Sequence, residues 1–151
     1  MKEIIMPNLD TFIKDYEENK YIIDIDYDKP SYIKDSDLIE VIKLIITFPE
    51  FKYYIENTGY YEQYYLSYII FGQLIHYLVE CYKNDDIFEI EQILDYIGER
   101  FKNQDIDVQT LLQVGFIELF YIFGKILPKI LELCPKNIKD NFYEYYSDYL
   151  K

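Results

Sequence analysis

The chain has 151 residues, half of them hydrophobic, with 15 Lys and Arg against 28 Asp and Glu and a formal net charge of −13. That length suits a single domain with a real core, and the apolar content argues against a disordered acidic tail. A field of this sign disfavours nucleic acid and anionic membranes as direct ligands, since phosphate is bound by Lys and Arg displacing counterions, and it favours fast, salt-sensitive association with a basic protein.

Pro7-Asn8 opens a first short helix, with Asn8 as its cap and Leu9, Phe12, Ile13 and Tyr16 at helical spacing. Residues 20–35 (KYIIDIDYDKPSYIKD) are the least helical part. Ile23 to Asp28 alternate as a strand would, yet no second strand is visible to pair with them, so the stretch reads as an extended acidic connector. Asp37 and Glu40 fit a capping box and start a helix through Thr47, whose dense apolar run predicts burial on more than one side. Phe48-Pro49 breaks it. Pro49 then suits the first turn of a short helix, Pro49–Asn57, which Gly59 stops.

Tyr60–Tyr82 is apolar on almost every side and is the predicted central helix; Gln73, His76, Glu80 and Lys83 form one narrow polar stripe along it. Asn84-Asp85-Asp86 turns the chain into Ile87–Lys102, the most clearly amphipathic helix. After a turn at Asn103–Asp107, Asp107 caps a long helix from Val108 to about Gly124. Lys125–Leu133 follows, begun or kinked by Pro128, and a last helix runs from about Pro135 to Leu150. The expectation is an all-α single domain over 1–151, either a helical bundle or a short HEAT-like stack of about seven or eight helices. The HEAT likeness rests on one acidic turn-to-helix junction, Asp105-Ile106-Asp107-Val108 followed by Leu111 and Leu112, and no repeat of fixed period accompanies it.

Phe48-Pro49-Glu50-Phe51, the helix ending in Tyr96-Ile97-Gly98-Glu99-Arg100, and Asp107-Val108 leading to Leu112-Gln113-Val114-Gly115-Phe116-Ile117-Glu118 resemble small, acidic, helical bacterial proteins. That group includes uncharacterised proteins and immunity-type proteins of toxin systems. The resemblance spans about residues 45–150 and is carried mostly by core positions. It implies a helical fold and transfers no catalytic residue.

Charge is uneven along the chain. Residues 1–62 carry 7 basic and 14 acidic groups, 63–107 carry 3 and 9, and 108–151 carry 5 and 5. Within the middle third, Glu91, Asp95 and Glu99 line up at i, i+4, i+8, with Asp85, Asp86 and Glu89 at the head of the column. Like charges so placed cost a helix roughly 0.2–0.5 kcal/mol per pair. A solvated face tolerates that cost; a face kept for a basic partner would explain it. Asp24, Asp26 and Asp28 with Tyr27 form a second acidic and aromatic patch, on a predicted loop. Tyr61 and Tyr64 belong to a tyrosine cluster at the start of the central helix, which offers interface anchors.

Catalytic chemistry finds few parts. His76 is the single histidine, and His76 with Glu80 supplies at most two metal ligands, without the ExxH pairs of di-iron bundles. Cys81 lies five residues from His76 and points away from it on a helix, Cys134 stands in apolar sequence, and no glycine-rich phosphate loop occurs. The expectation is therefore no enzyme, no cofactor and no metal. Two free cysteines, an N-terminus without a signal-peptide run, and apolar stretches interrupted by Gln73 and His76 or by Glu118, Lys125, Pro128 and Lys129 point to a cytoplasmic protein with no membrane span. The functional expectation is an acidic interaction module, most concretely an immunity-type protein that masks a basic toxin or nuclease. The alternatives are a nucleic-acid mimic, or a small-ligand-binding protein or enzyme with a pocket near His76. Oligomeric state stays open.

Overall fold

Prolines, glycines and a few carboxylates able to receive backbone N–H groups set where the helices start and stop. The computed structural model describes residues 9–18 and 33–149. Among the described residues the chain is all-α, without a strand. It comprises α1 (Leu9–Glu18), α2 (Asp35–Thr47), α3 (Pro49–Asn57), a 3-10 turn (Tyr61–Gln63), α4 (Ser67–Lys83), α5 (Ile87–Arg100), α6 (Ile106–Gly115), a 3-10 segment (Ile117–Ile126), α7 (Leu127–Leu133) and α8 (Lys136–Tyr149). Most of the connector expected over 20–35 lies outside the described residues. The fold divides into two compact units, Met1–Ile70 and Phe71–Lys151.

In the first unit, α2 buries Leu38, Val41, Ile42, Leu44 and Ile45 almost completely, which is why its apolar run is so dense. It starts three residues, nearly a full turn, earlier than the capping-box reading predicts. Lys34 takes the extended N-cap geometry, and Asp37 and Glu40 lie inside the helix with side chains 5% and 2% exposed. Asp35 and Asp37 in the first turn still favour the helix electrostatically. Pro49 occupies the first turn of α3 as expected. Gly59, at φ +84°, ends that helix by letting the Tyr60 N–H reach back to the Ile55 carbonyl at 3.0 Å, a Schellman closure.

The central helix begins at Ser67, not Tyr60. The tyrosine cluster before it forms a single 3-10 turn, in which the fully buried Tyr64 ring stands edge-on to Tyr65. Burying one large ring there requires a tight turn that a continuous helix would not give. From Ser67 onward α4 behaves as predicted: Ile70, Phe71, Leu74, Ile75, Leu78 and Cys81 are buried, and His76, Glu80 and Lys83 stay at the surface.

In the second unit, Asp86 caps α5 by accepting from the Glu89 N–H, and Asp85 before it sits at φ +62°. Ile90, Ile93, Leu94 and Ile97 form the buried stripe of α5. Gly98 continues it, because the start of α8 passes so close there that Asn137 Nδ2 donates to the Gly98 carbonyl at 2.8 Å. Asp105, not Asp107, caps α6, accepting from the N–H groups of Asp107 and Val108.

The long helix expected from Val108 to Gly124 is two elements. Phe116 leaves helical geometry (φ −130°, ψ −68°) with its ring fully buried, and the chain continues as a 3-10 segment. Ile117, Phe120 and Phe123 repeat every three residues and are all buried, matching the three-residue turn of a 3-10 helix. Phe120 meets Phe116 and Phe123 edge-on and packs against Phe142 of α8. The Tyr146 hydroxyl accepts from the Tyr121 N–H at 3.1 Å. Gly124, at φ +57° and ψ −124°, then redirects the chain into α7. Ile106–Leu133 is the one described stretch apolar and long enough to cross a membrane by length and composition. The breaks at Phe116 and Gly124 divide it into three pieces.

Candidate protein-docking face

At about 100° per residue, positions 88, 91, 95 and 99 fall within about 80° of one another around a helix. On α5 these are Phe88, Glu91, Asp95 and Glu99, and all four are exposed on the side opposite the buried stripe. They cover about 16 Å along the axis. Phe88 is 72% exposed, a large aromatic left in water at the head of a carboxylate row. Glu91 and Asp95 make no ion pair among the described residues. Glu99 is paired with Lys102 at 2.7 Å, at the far end of the row. Asp85 stands exposed just before the helix.

The other predicted members of this cluster are occupied locally. The Asp86 carboxylate caps the helix, and Glu89 accepts a 2.8 Å hydrogen bond from the Tyr77 hydroxyl, which joins α5 to α4. Burial, then the Glu89 carboxylate, pushes the Tyr77 hydroxyl well above the usual phenol range. Asp24, Asp26, Asp28 and Tyr27 lie outside the described residues. Tyr64 is 2% exposed and so is a core residue, not an interface anchor. Tyr61 is half-buried; burial, and then the nearby Asp10 carboxylate, push its hydroxyl above the usual phenol range, and that hydroxyl has no hydrogen-bond partner among the described residues. Phe88, not one of the tyrosines, is the large aromatic exposed on this side of α5. Its signal was present: it sits three residues before Glu91, on the polar side of an otherwise well-segregated helix.

A separate hollow of about 540 Å³ opens in the first unit, lined by Asp10, Glu56, Gly59, Tyr61 and Glu62. Lys52 reaches into the same cluster, 3.0 Å from Asp10 and 3.5 Å from Glu56, with its ammonium 5.8 Å from the centre of the Tyr61 ring. The Tyr61 hydroxyl and then Lys52 hold the Asp10 carboxyl below the usual carboxylate range.

His76 and Glu80 both lie at the surface, and Glu80 pairs with Lys83 at 3.5 Å. Cys81 and Cys134 are buried, and burial pushes their thiols up to about 11 and about 12. Such thiols are poor nucleophiles at neutral pH, because the thiolate is the reactive form. Among the described residues no group of three or more His, Cys, Asp or Glu is placed to hold a metal ion.

A family model matches residues 41–151. The chain belongs to the DUF7674 family, a domain of unknown function. No curated protein and no solved structure matches it. The exposed row on α5 lies wholly within the DUF7674 domain, whereas α1, with Asp10, lies before it. The hollow is therefore built partly from the DUF7674 domain and partly from the preceding segment.

Proposed function

We propose that this chain is an acidic interaction module that docks a basic protein on the exposed face of α5. In its most concrete form it is a cytoplasmic, immunity-type protein of bacterial origin that neutralises a cationic toxin or nuclease by covering its working surface. The observation that carries this reading is the row Phe88, Glu91, Asp95, Glu99: one large apolar anchor and three carboxylates on a single solvent-facing side of a helix whose opposite side is core. The carboxylates steer a cationic partner and set its register, while the aromatic ring supplies desolvated contact area at the end of the row. Inhibition on this reading is steric and needs no chemistry, which agrees with the raised thiols and the outward placement of His76.

Carboxylates four residues apart on a helix advance about 6 Å per charge, an interval that Lys and Arg four apart on a basic partner helix would match.

The test uses the chain as bait at 50 mM NaCl, with retained proteins identified and then purified. The expected partner is basic, is released near 500 mM NaCl, and associates at least tenfold more slowly with the Glu91→Lys, Asp95→Lys, Glu99→Lys chain. Association of that variant at the parental rate sinks the assignment of the face. Competition of the partner by short duplex DNA would favour mimicry instead.

A further inference from the structure

α6 carries a second exposed row, opposite in chemistry to the one on α5. Ile106, Thr110 and Val114 follow one another at i, i+4, i+8, within about 80° of arc and over about 12 Å of axis. All three are exposed: Ile106, at 74%, is the most exposed large hydrophobic residue among the described ones, and Val114 stands at 44%. The Thr110 hydroxyl is spent on the Ile106 carbonyl at 2.8 Å, so this side chain offers its methyl group. The row thus presents three β-branched side chains to water, while Val108, Leu111, Leu112 and Gly115 on the other side are buried. β-branched residues are weak helix formers, and at Ile106 packing within the chain does little to offset that.

We propose that this row is a self-association surface, on which a second copy of the chain packs its own α6 across a two-fold axis. Charge selects the occupant. A basic protein is drawn to carboxylates, and the row has none; it is flanked by Gln113 on one side and by Asp107, the single charged residue of α6, on the other. Two copies carrying −13 each repel wherever acid faces acid. Residues 108–151, with 5 basic and 5 acidic groups, are the third of the chain where that repulsion is least. Shape agrees with charge. The commonest helix packing interdigitates i±4 ridges from both helices, and a second copy brings the same ridge. A two-fold axis at Thr110 sets Ile106 against the partner's Val114 and Thr110 against the partner's Thr110, the self-complementary pattern of a symmetric dimer. Stiff β-branched side chains also lose little freedom on being covered. A ridge this short covers less than the about 800 Å² per partner of a standard interface, so the pair is weak.

Sedimentation of the full chain from 10 to 500 µM, at 50 and 500 mM NaCl, tests this. At 500 mM NaCl the weight-average mass should rise roughly 1.5-fold across that range, as for a dissociation constant of about 500 µM. The rise should be smaller at 50 mM NaCl, where the like charges are less screened; this is the reverse of the salt effect expected for the α5 face. Thr110→Lys should abolish the rise although it lowers the net charge, because the new ammonium meets its own copy at the axis. The Glu91→Lys, Asp95→Lys, Glu99→Lys chain should dimerise at least as well as the parent, which separates this surface from the α5 face. In mild oxidant, Thr110→Cys should cross-link to itself, whereas Ile106→Cys should cross-link to Val114→Cys and not to itself; the native thiols are buried. A chain that stays monomeric at 500 µM and 500 mM NaCl leaves the row to some other protein and overturns self-association. So does a dimer that Thr110→Lys leaves intact, or Ile106→Cys cross-linking to itself as fast as Thr110→Cys.

Discussion

Replacing Gly98 by alanine puts a defined strain into the second unit. A Cβ at this position would stand 2.7 Å from Pro135 Cγ, 3.2 Å from Asn137 Oδ1 and 3.4 Å from Pro135 Cβ. The first distance is far inside van der Waals contact, and the atom met belongs to a closed ring that cannot swing aside. Relief requires the start of α8 to move away from α5, which also stretches the 2.8 Å bond from Asn137 to the Gly98 carbonyl. Overpacking of this kind costs about 1–3 kcal/mol, and losing the hydrogen bond adds about 0.5–1.5 kcal/mol. Better helix propensity returns about 1 kcal/mol. The net expectation is a loss of about 1–3 kcal/mol, a fall in Tm of roughly 2–10 °C for a chain this size. Gly72→Ala is the matched control, since its Cβ would meet only Leu119 Cδ1 at 3.4 Å, an ordinary contact. There the propensity gain stands almost alone, and Tm should hold or rise. Thermal unfolding followed by circular dichroism compares the two, and a Gly98→Ala chain as stable as the parent would refute the close-approach argument.

Asp105→Ala should cost about 1 kcal/mol by removing the α6 cap, whereas Asp107→Ala, which leaves that cap in place, should cost clearly less; chemical denaturation separates them. Asp95→Lys turns two repulsive i, i+4 pairs with Glu91 and Glu99 into attractive ones and should stabilise the fold by roughly 0.8–2 kcal/mol while slowing partner association. Such a gain in Tm with a loss in binding is the mark of a surface kept for recognition; a loss of both speaks against it. Burial raises both thiols, so the folded chain keeps its thiol protons above the pH at which an unfolded cysteine loses them. Labelling of the native chain with a thiol reagent should therefore stay slow from pH 7 to about pH 9 and become fast on denaturation; rapid native labelling at pH 8 contradicts the burial of Cys81 and Cys134.

Periodicity and chain-breaking residues made most of the fold legible. Pro49, Gly59 and the Asn84-Asp85-Asp86 turn mark helix ends that the structure places where they were expected. The segment after Gly115 was harder, because Ile117, Phe120 and Phe123 at intervals of three suit one face of an α-helix almost as well as a 3-10 helix. What decides between them is the buried Phe116 ring and the contact with α8, which are tertiary. Asp37 and Glu40 misled for a related reason: their spacing matches a cap, yet α2 extends back to Asp35 and takes both inside. For the docking face, the outward direction of Glu91, Asp95 and Glu99 followed from the apolar stripe on the other side of α5. Tyr64 did not, because sequence spacing cannot show which ring of a tyrosine cluster fills the core. Asp86 and Glu89 belong to the acidic composition but serve the helix end and Tyr77, a distinction visible only once α4 and α5 are placed together.

The most direct test of the docking face is the association rate of the purified basic partner with the parent chain and with the Glu91→Lys, Asp95→Lys, Glu99→Lys chain, measured by stopped flow at 50 and 300 mM NaCl. Electrostatic docking through α5 predicts a parental rate that falls steeply with salt and a variant rate at least tenfold lower at 50 mM, with the two converging at 300 mM. Equal rates at both salt concentrations would show that the partner meets this protein somewhere other than the exposed side of α5.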